Sequence, residues 1–356
     1  RCAAHTLQLT VDDALKRAKP ISQLISKARN LAKKLRTQTF IYLIRKQNFK
    51  KPTLDCPTRW CSTIDMLENL LLFQDYCEEL SVTKFQNFVT LKDDEWLKIK
   101  KICTALRPSK ICTKRLQEEQ LTLSEFFGLW FKTKVTTEAL QTSFSKLIVE
   151  QMIYREENYN DILLSAVYMD PRYKVLLDNT QIQRAKTHLK RLWIKIVSVN
   201  HNNIENSMNK SNENSNGNSS NSSGTGSSYD EFENLLKLKE QQHTLMNSSS
   251  RESDLYLHRI ENELERYNNE QKRISRRINI LEFWEEKKQD QLELYKLAMI
   301  VLAVPATQVS VERLFSGLKF ILSPLRTNIS ENILENYCLL ELIEYFVIKK
   351  NVKNDY

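Results

Sequence analysis

The residues best placed to do chemistry lie in the stretch VPATQVSVERLFS, Val304–Ser316. Val311, Leu314, Phe315 and Leu318 fall at i, i+3, i+4 and i+7, so the spacing predicts a helix with one buried stripe. Pro305 suits the first turn of such a helix. Gln308, Glu312, Ser316 and Lys319 form a polar stripe beside the apolar one. On spacing alone, Glu312 reads as a solvated acid paired with Lys319 or Ser316. The other reading is one carboxylate of a catalytic site.

Two further pieces carry reactive or stacking groups. Cys2-x-x-His5 puts a thiol and an imidazole on one helix face. Zinc would need two more ligands, and Cys56 and Cys61 are the available ones, spaced around a proline and a tryptophan. The alternative is a small buried Cys beside a hydrogen-bonded His. Arg59-Trp60 follows a proline and opens a helix. An indole can stack on a base while a guanidinium holds a phosphate, but a Trp here also serves as ordinary core packing. There is no Ser-His-Asp arrangement, paired catalytic Cys and His, metalloprotease helix motif or Gly-rich nucleotide loop.

The charge is uneven. From Ala14 to Lys51 there are twelve Lys or Arg and no Asp or Glu. Within this tract Ile21, Leu24, Ile25, Ala28, Leu31, Ala32 and Leu35 keep helical spacing, while Lys27, Arg29, Lys33, Lys34 and Arg36 fall mostly off that stripe. A one-sign outer face of this kind either neutralises phosphates or is simply solvated. The net charge of +9 and the isoelectric point near 9.0 favour an acidic partner, nucleic acid above all.

These residues must be carried by helices. With 5 Gly and 7 Pro, and three of the glycines in one polar tract, little is left for tight hairpins, so the expected fold is mostly α. A helix is expected from about Arg59, and another from Asp93 that ends or kinks at Pro108. Thr122 and Glu125 have capping-box spacing and open a long helix toward Glu156. Residues 166–177 read as an extended or turn passage around Asp170-Pro171, followed by an amphipathic helix over Gln181–Val197. Asn200–Ser228, rich in Asn, Ser and Gly, reads as a disordered linker, and 229–277 as a charged helical region. The last helix, Ser330–Ile348, is apolar over more than one face, including Leu334, Tyr337, Leu340 and Ile343. It is therefore either central in its own fold or covered by another subunit. Seven cysteines at irregular spacings imply reduced thiols in an intracellular protein, and no apolar run is long enough to span a membrane. The chain opens at Arg1 inside a helical pattern, which reads as a fragment.

Several of these pieces, in this order, resemble the hAT family of DNA transposases and the cellular BED-type zinc finger proteins derived from them. The matching segments are RCAAHTLQL (1–9), TRWCSTIDMLENLL (58–71), AVYMDPRYK (166–174) and LELYKLAMIVLAVPATQVSVERLFS (292–316), followed by LRTNISENILENYCLL (325–340). The C-terminal block is the most specific. Val311 departs from the Ser common before the Glu-Arg pair, and GLKFI replaces the usual Ala-Gly after Phe-Ser.

The resemblance implies an RNase H-like core interrupted by an all-helical insertion. It also implies three acids holding two divalent metals for phosphodiester attack. It assigns Glu312 as the third acid, Trp60 as the Trp that stacks on a flipped base, and Cys2 and His5 as the Cys-x-x-His pair near that site. The C-terminal segment, with Leu314, Phe315, Leu334, Tyr337, Leu340 and Ile343 as contacts, corresponds to the dimerisation region. The family's two Asp lie upstream of the Cys-x-x-His pair; Asp12 and Asp13 follow it and do not match them. The expected organisation is then a helical insertion domain at 1–199, the linker at 200–228, the charged region at 229–277 and the dimerisation region at 278–350. The latter belongs to the closing helices of a core whose strands lie upstream. The expected protein is a nuclear, homo-oligomeric DNA binder that uses Arg59, Trp60, Lys27, Lys33, Lys34 and Arg36. It is expected to have no metal cofactor or cleavage activity as the chain stands. The alternative is a fragment of an active transposase that works with Mg²⁺ or Mn²⁺, and a third reading is a helical scaffold without DNA contact.

Overall fold

Wherever the amphipathic spacing falls on residues that the structure describes, it becomes helix. The computed structural model describes residues 2–47, 49–56, 60–83, 88, 90–118, 121–212 and 256–308. Among these there is no strand; one isolated antiparallel bridge joins Thr122 to Pro305. The mostly α expectation is met. No described helix is long and apolar enough to cross a membrane. The chain divides into two compact units, the first with described residues 2–159 and 305–308, the second 160–304.

The first unit runs α1 (Ala3–Arg17), α2 (Lys19–Leu35), α3 (Gln38–Lys46), α4 (Trp60–Leu71), α5 (Gln74–Thr83), α6 (Asp93–Glu118), α7 (Leu123–Glu138) and α8 (Ser143–Glu156). Pro20 sits at the start of α2, where its missing N–H costs nothing, and the predicted stripe Leu24, Ile25, Ala28, Leu31, Ala32 and Leu35 is buried. Helix α6 packs against α4 and α7, and α1 against α8 and α6.

Two expectations change here. Of the two readings for Pro108, an end to the helix is overturned: α6 continues through the proline to Glu118. Proline forfeits one hydrogen bond and costs about 3 kcal/mol in a helix interior. Ile99, Ile102, Leu106, Cys112 and Leu116 are all buried on either side of it, and their burial outweighs that cost. The single long helix toward Glu156 is instead two. The Thr122–Glu125 capping box does open α7. A second box, Thr142 with Ser145, starts α8 after a turn in which Gln141 takes φ 53°.

The second unit holds α9 (Asp161–Tyr168), a 3₁₀ turn (Lys174–Leu176), α10 (Asn179–Asn212), α11 (256–270), α12 (Ile280–Glu286) and α13 (Leu292–Leu302). The passage expected to be extended from 166 begins later, because Ala166–Tyr168 complete α9. The turn between α9 and the 3₁₀ segment organises the unit. The Met169 carbonyl accepts the Trp284 indole N–H at 2.8 Å. Asp170, wholly buried, is bonded to Nε and Nη2 of Arg172 at 2.9 and 2.8 Å, and Arg172 Nη1 donates onward to the Ile278 carbonyl. Lys174 donates to the Tyr267 and Asn268 carbonyls near the end of α11, where a cation belongs. Tyr168 meets Tyr267 edge to face, and Tyr267 meets Trp284 at a tilt, with centroids 5.5 and 5.7 Å apart. In α11, Ile260, Leu264 and Tyr267 form the buried stripe of the charged region. Helix α10 includes the predicted 181–197 segment and continues through Asn212, past the expected start of the linker at 200; residues 213–228 lie outside the described residues.

Candidate functional site

The most buried ion pair of the basic tract, among the described residues, is Arg29 with Asp55. Arg29 on α2 makes two parallel bonds to Asp55, at 2.8 and 2.6 Å, and Asp55 also accepts the Thr63 hydroxyl of α4 at 3.0 Å. The Asp55 side chain is 1% exposed and Arg29 24%. The guanidinium beside it holds the Asp55 carboxyl below its usual range. The pair therefore ties α2, the 52–56 segment and α4 together. Asp55 is the first acid after Asp13, a signal legible in the sequence that the Cys-and-Trp reading passed over.

Other predicted contact residues also turn inward or find protein partners. Lys27 meets Glu95 at 2.6 Å, although the lysine remains 63% exposed. The Lys34 ammonium lies 4.7 Å from the Phe88 ring centre. Arg36 donates to the Pro52 carbonyl at 2.7 Å. Lys33 is exposed. Arg59 lies outside the described residues. Trp60, the first residue of α4, is 2% exposed, so its ring is core rather than an open stacking platform in this state. Among the described residues its indole N–H has no acceptor.

Farther along the same tract the cations stay in water. Arg45 and Lys46 end α3, and Lys50 and Lys51 come just after it; all four are exposed. Tyr42, 66% exposed, is one turn before Arg45 and Lys46, and Phe49 is 38% exposed. These are the residues that sequence reasoning missed. Their signal in the sequence is the acid-free run itself, in which they lie beyond the periodic helix.

The family-like segments at the two ends of the chain meet in this unit. Ala3 N–H donates to the Ala306 carbonyl at 2.9 Å, and Ala306 N–H donates to the Leu121 carbonyl at 3.0 Å. The Pro-Ala-Thr run thus lies against the start of α1. Pro305 sits in the bridge to Thr122 and does not open a helix. A proline is tolerated there because a bridge at an edge can do without its N–H. Cys2 precedes α1 and His5 is exposed on it. No group of three or more His, Cys, Asp or Glu among the described residues is arranged to hold a metal. Burial pushes the Cys61 thiol up to about 11 and Cys103 up to about 12, so these sulfurs are poor thiolate donors. Asp13 is occupied with Arg155 at 2.7 Å, which joins α1 to α8. Glu312, Leu314, Phe315, Leu334, Tyr337, Leu340 and Ile343 lie outside the described residues.

Comparison with known families places both ends of the chain. Residues 1–105 match the ZBED1 RNase-like helical domain, and residues 263–341 match the hAT family C-terminal dimerisation region. The first match covers α1 to the middle of α6, and the second begins within α11. The class is therefore that of hAT/ZBED-type, transposase-derived proteins. Within it, the chain is similar to human Zinc finger BED domain-containing protein 4, with 24% identity over 182 residues. That alignment takes in 49% of this chain but only 15% of the relative, so the chain spans a small part of that protein's length.

The Arg29–Asp55 pair generates a pH-dependent prediction. Because the folded Asp55 carboxyl has a depressed pKa, the unfolded chain binds more protons in acid, and stability is lost as pH falls below about 4. Asp55→Asn should cost about 1–3 kcal/mol at neutral pH, a range that allows for the partial exposure of Arg29. It should also flatten the acid limb of the stability profile. Urea unfolding from pH 7 to pH 3 measures both, and an unchanged profile would mean that the pair is idle.

Proposed function

We propose that the chain is a transposase-derived nuclear protein that dimerises through its C-terminal region, touches DNA through its basic tract and does not cut DNA as it stands. The hAT dimerisation match supports self-association. The DNA reading rests on one observation. Once the internal partners of Lys27, Arg29, Lys34 and Arg36 are set aside, the acid-free tract still presents Lys33, Arg45, Lys46, Lys50 and Lys51 to solvent, with the exposed ring of Tyr42 among them, while the ring of Phe49 packs against Phe73 and Tyr76. Ammonium and guanidinium groups of this kind neutralise phosphates, and aromatic faces among them suit bases.

Duplex affinity measured against salt tests this. The logarithm of the binding constant should fall linearly with the logarithm of salt. Replacing Arg45, Lys46, Lys50 and Lys51 together by Gln should reduce the slope by about 3–4. Lys27→Gln should change it by less than one phosphate contact, about 0.9. A flat response of the parent chain would exclude DNA contact and leave the helical scaffold. A tagged chain confined to the cytoplasm would refute the nuclear assignment.

The non-cleaving part of the proposal follows from the acids. The family resemblance assigns Glu312 alone of the three, and one carboxylate cannot hold two metals. Incubated with Mg²⁺ or Mn²⁺, the chain should leave DNA intact. Nicking abolished by Glu312→Gln would establish the alternative, an active transposase fragment, with the metals supplying water activation.

For dimerisation, Leu340→Glu and Ile343→Glu should give soluble monomers with unchanged helical circular dichroism, read by light scattering. Loss of the helical signal would instead make that helix internal core.

A further inference from the structure

A cavity of about 390 Å³ opens between α2, α6 and the first turn of α8, within the roughly 300–1,000 Å³ range of small-molecule sites. Its apolar wall is Ile21, Leu24, Ile102 and Phe144. Ile102 and Phe144 are each 4% exposed and Leu24 is 7%, so this wall is the surface of the core and not a set of mobile side chains. The rim is ionic. Lys27, Lys98 and Lys101 face one carboxylate, Glu95, leaving the lining with a net charge of +2 (three ammoniums less one carboxylate).

The acids near the rim are already committed. Glu95 accepts Lys27 at 2.6 Å and the Lys92 N–H at 3.1 Å, and Asp94 accepts Lys98 at 2.8 Å. Lys101 is exposed, and no ion pair of it is found among the described residues. Thr142 and Ser143 line the same opening. The amides of Ser143 and Phe144 are the first two of α8, which no carbonyl of their own helix can reach. Thr142 Oγ1 takes the N–H of Ser145 and the Thr142 carbonyl that of Lys146, both at 3.0 Å.

An apolar cavity with a cationic rim suits a ligand that is uncharged at one end and anionic at the other. We propose that this cavity binds a nucleoside monophosphate unit, with the base against Ile21, Leu24, Ile102 and Phe144 and the phosphate at Lys101 and Lys98. Inorganic phosphate lacks the part that fills the cavity, and a bare nucleoside lacks the part that engages the rim. The site stands apart from duplex contact by Arg45–Lys51 and does not depend on it. The unit can be a free nucleotide or the unpaired terminal nucleotide of a DNA strand.

Calorimetric titration of the full chain with dAMP tests the assignment, with deoxyadenosine and inorganic phosphate as controls. Saturable dAMP binding is expected, at least tenfold tighter than either control. Lys101→Glu should weaken it at least tenfold, Lys101→Arg should restore it, and Ser143→Trp, at the exposed mouth, should block it. Helical circular dichroism checks that each variant is folded. The Gln replacements at Arg45, Lys46, Lys50 and Lys51 should leave dAMP binding intact, which separates failure of this site from failure of duplex binding. A 5′-phosphorylated single-stranded oligonucleotide that displaces dAMP assigns the site to strand ends; one that does not assigns it to free nucleotides. Absence of dAMP binding, inorganic phosphate binding as tightly as dAMP, or a folded Lys101→Glu chain that binds normally would overturn the proposal.

Discussion

Arg29 and Asp55 set the position of everything on the basic side of the first unit. A carboxylate that is 1% exposed cannot remain ionised without partners, and Asp55 has two, the Arg29 fork and the Thr63 hydroxyl. To satisfy them, α2 must lie against the 52–56 segment and the first turns of α4. That rotation buries the apolar stripe of α2 and brings Lys27 to Glu95, Lys34 to Phe88 and Arg36 to the Pro52 carbonyl. The tract keeps exposed cations on both sides of these contacts, at Lys16, Arg17, Lys19 and Lys33 and at Arg45, Lys46, Lys50 and Lys51.

The second unit solves the same problem with a shorter piece of chain. Asp170 and Arg172 neutralise each other two residues apart, and an Nη1 N–H of the arginine reaches the Ile278 carbonyl. Removing one partner of such a buried pair is typically worth about 3–5 kcal/mol, so the turn acts as a clamp and not as a loop. Met169 and Lys174 on either side of the pair hold Trp284 and the last turn of α11. The family-like AVYMDPRYK segment therefore has a complete structural account within its unit. Its charged residues Asp170, Arg172 and Lys174 all make structural contacts within the unit.

The junction of Ala3 with Ala306 and of Ala306 with Leu121 bears on function in another way. It places the beginning of the chain against the segment that leads toward Glu312, more than three hundred residues later. Cys2 and His5 therefore stand near the Pro-Ala-Thr run without themselves forming a ligand set among the described residues. The first of the family-like segments and the Pro-Ala-Thr run are thus far apart along the chain and adjoining in space.

The sequence by itself determined the helical class, the buried stripe of α2, the capping box at Thr122 and the acid-free run. Each depends on near-neighbour spacing, which periodicity reports directly. It also carried the family resemblance, through short motifs that tolerate divergence elsewhere. Tertiary structure alone decided the rest. Pro108 stays inside α6 because flanking burial exceeds the cost of one lost hydrogen bond. Trp60 is core because α4 turns it inward. Lys27, Arg29, Lys34 and Arg36 are engaged because Glu95, Asp55, Phe88 and the Pro52 carbonyl arrive beside α2 from elsewhere in the chain. Local spacing can place a cation on an outer face, but whether that face meets solvent or another segment depends on packing between residues far apart in the chain.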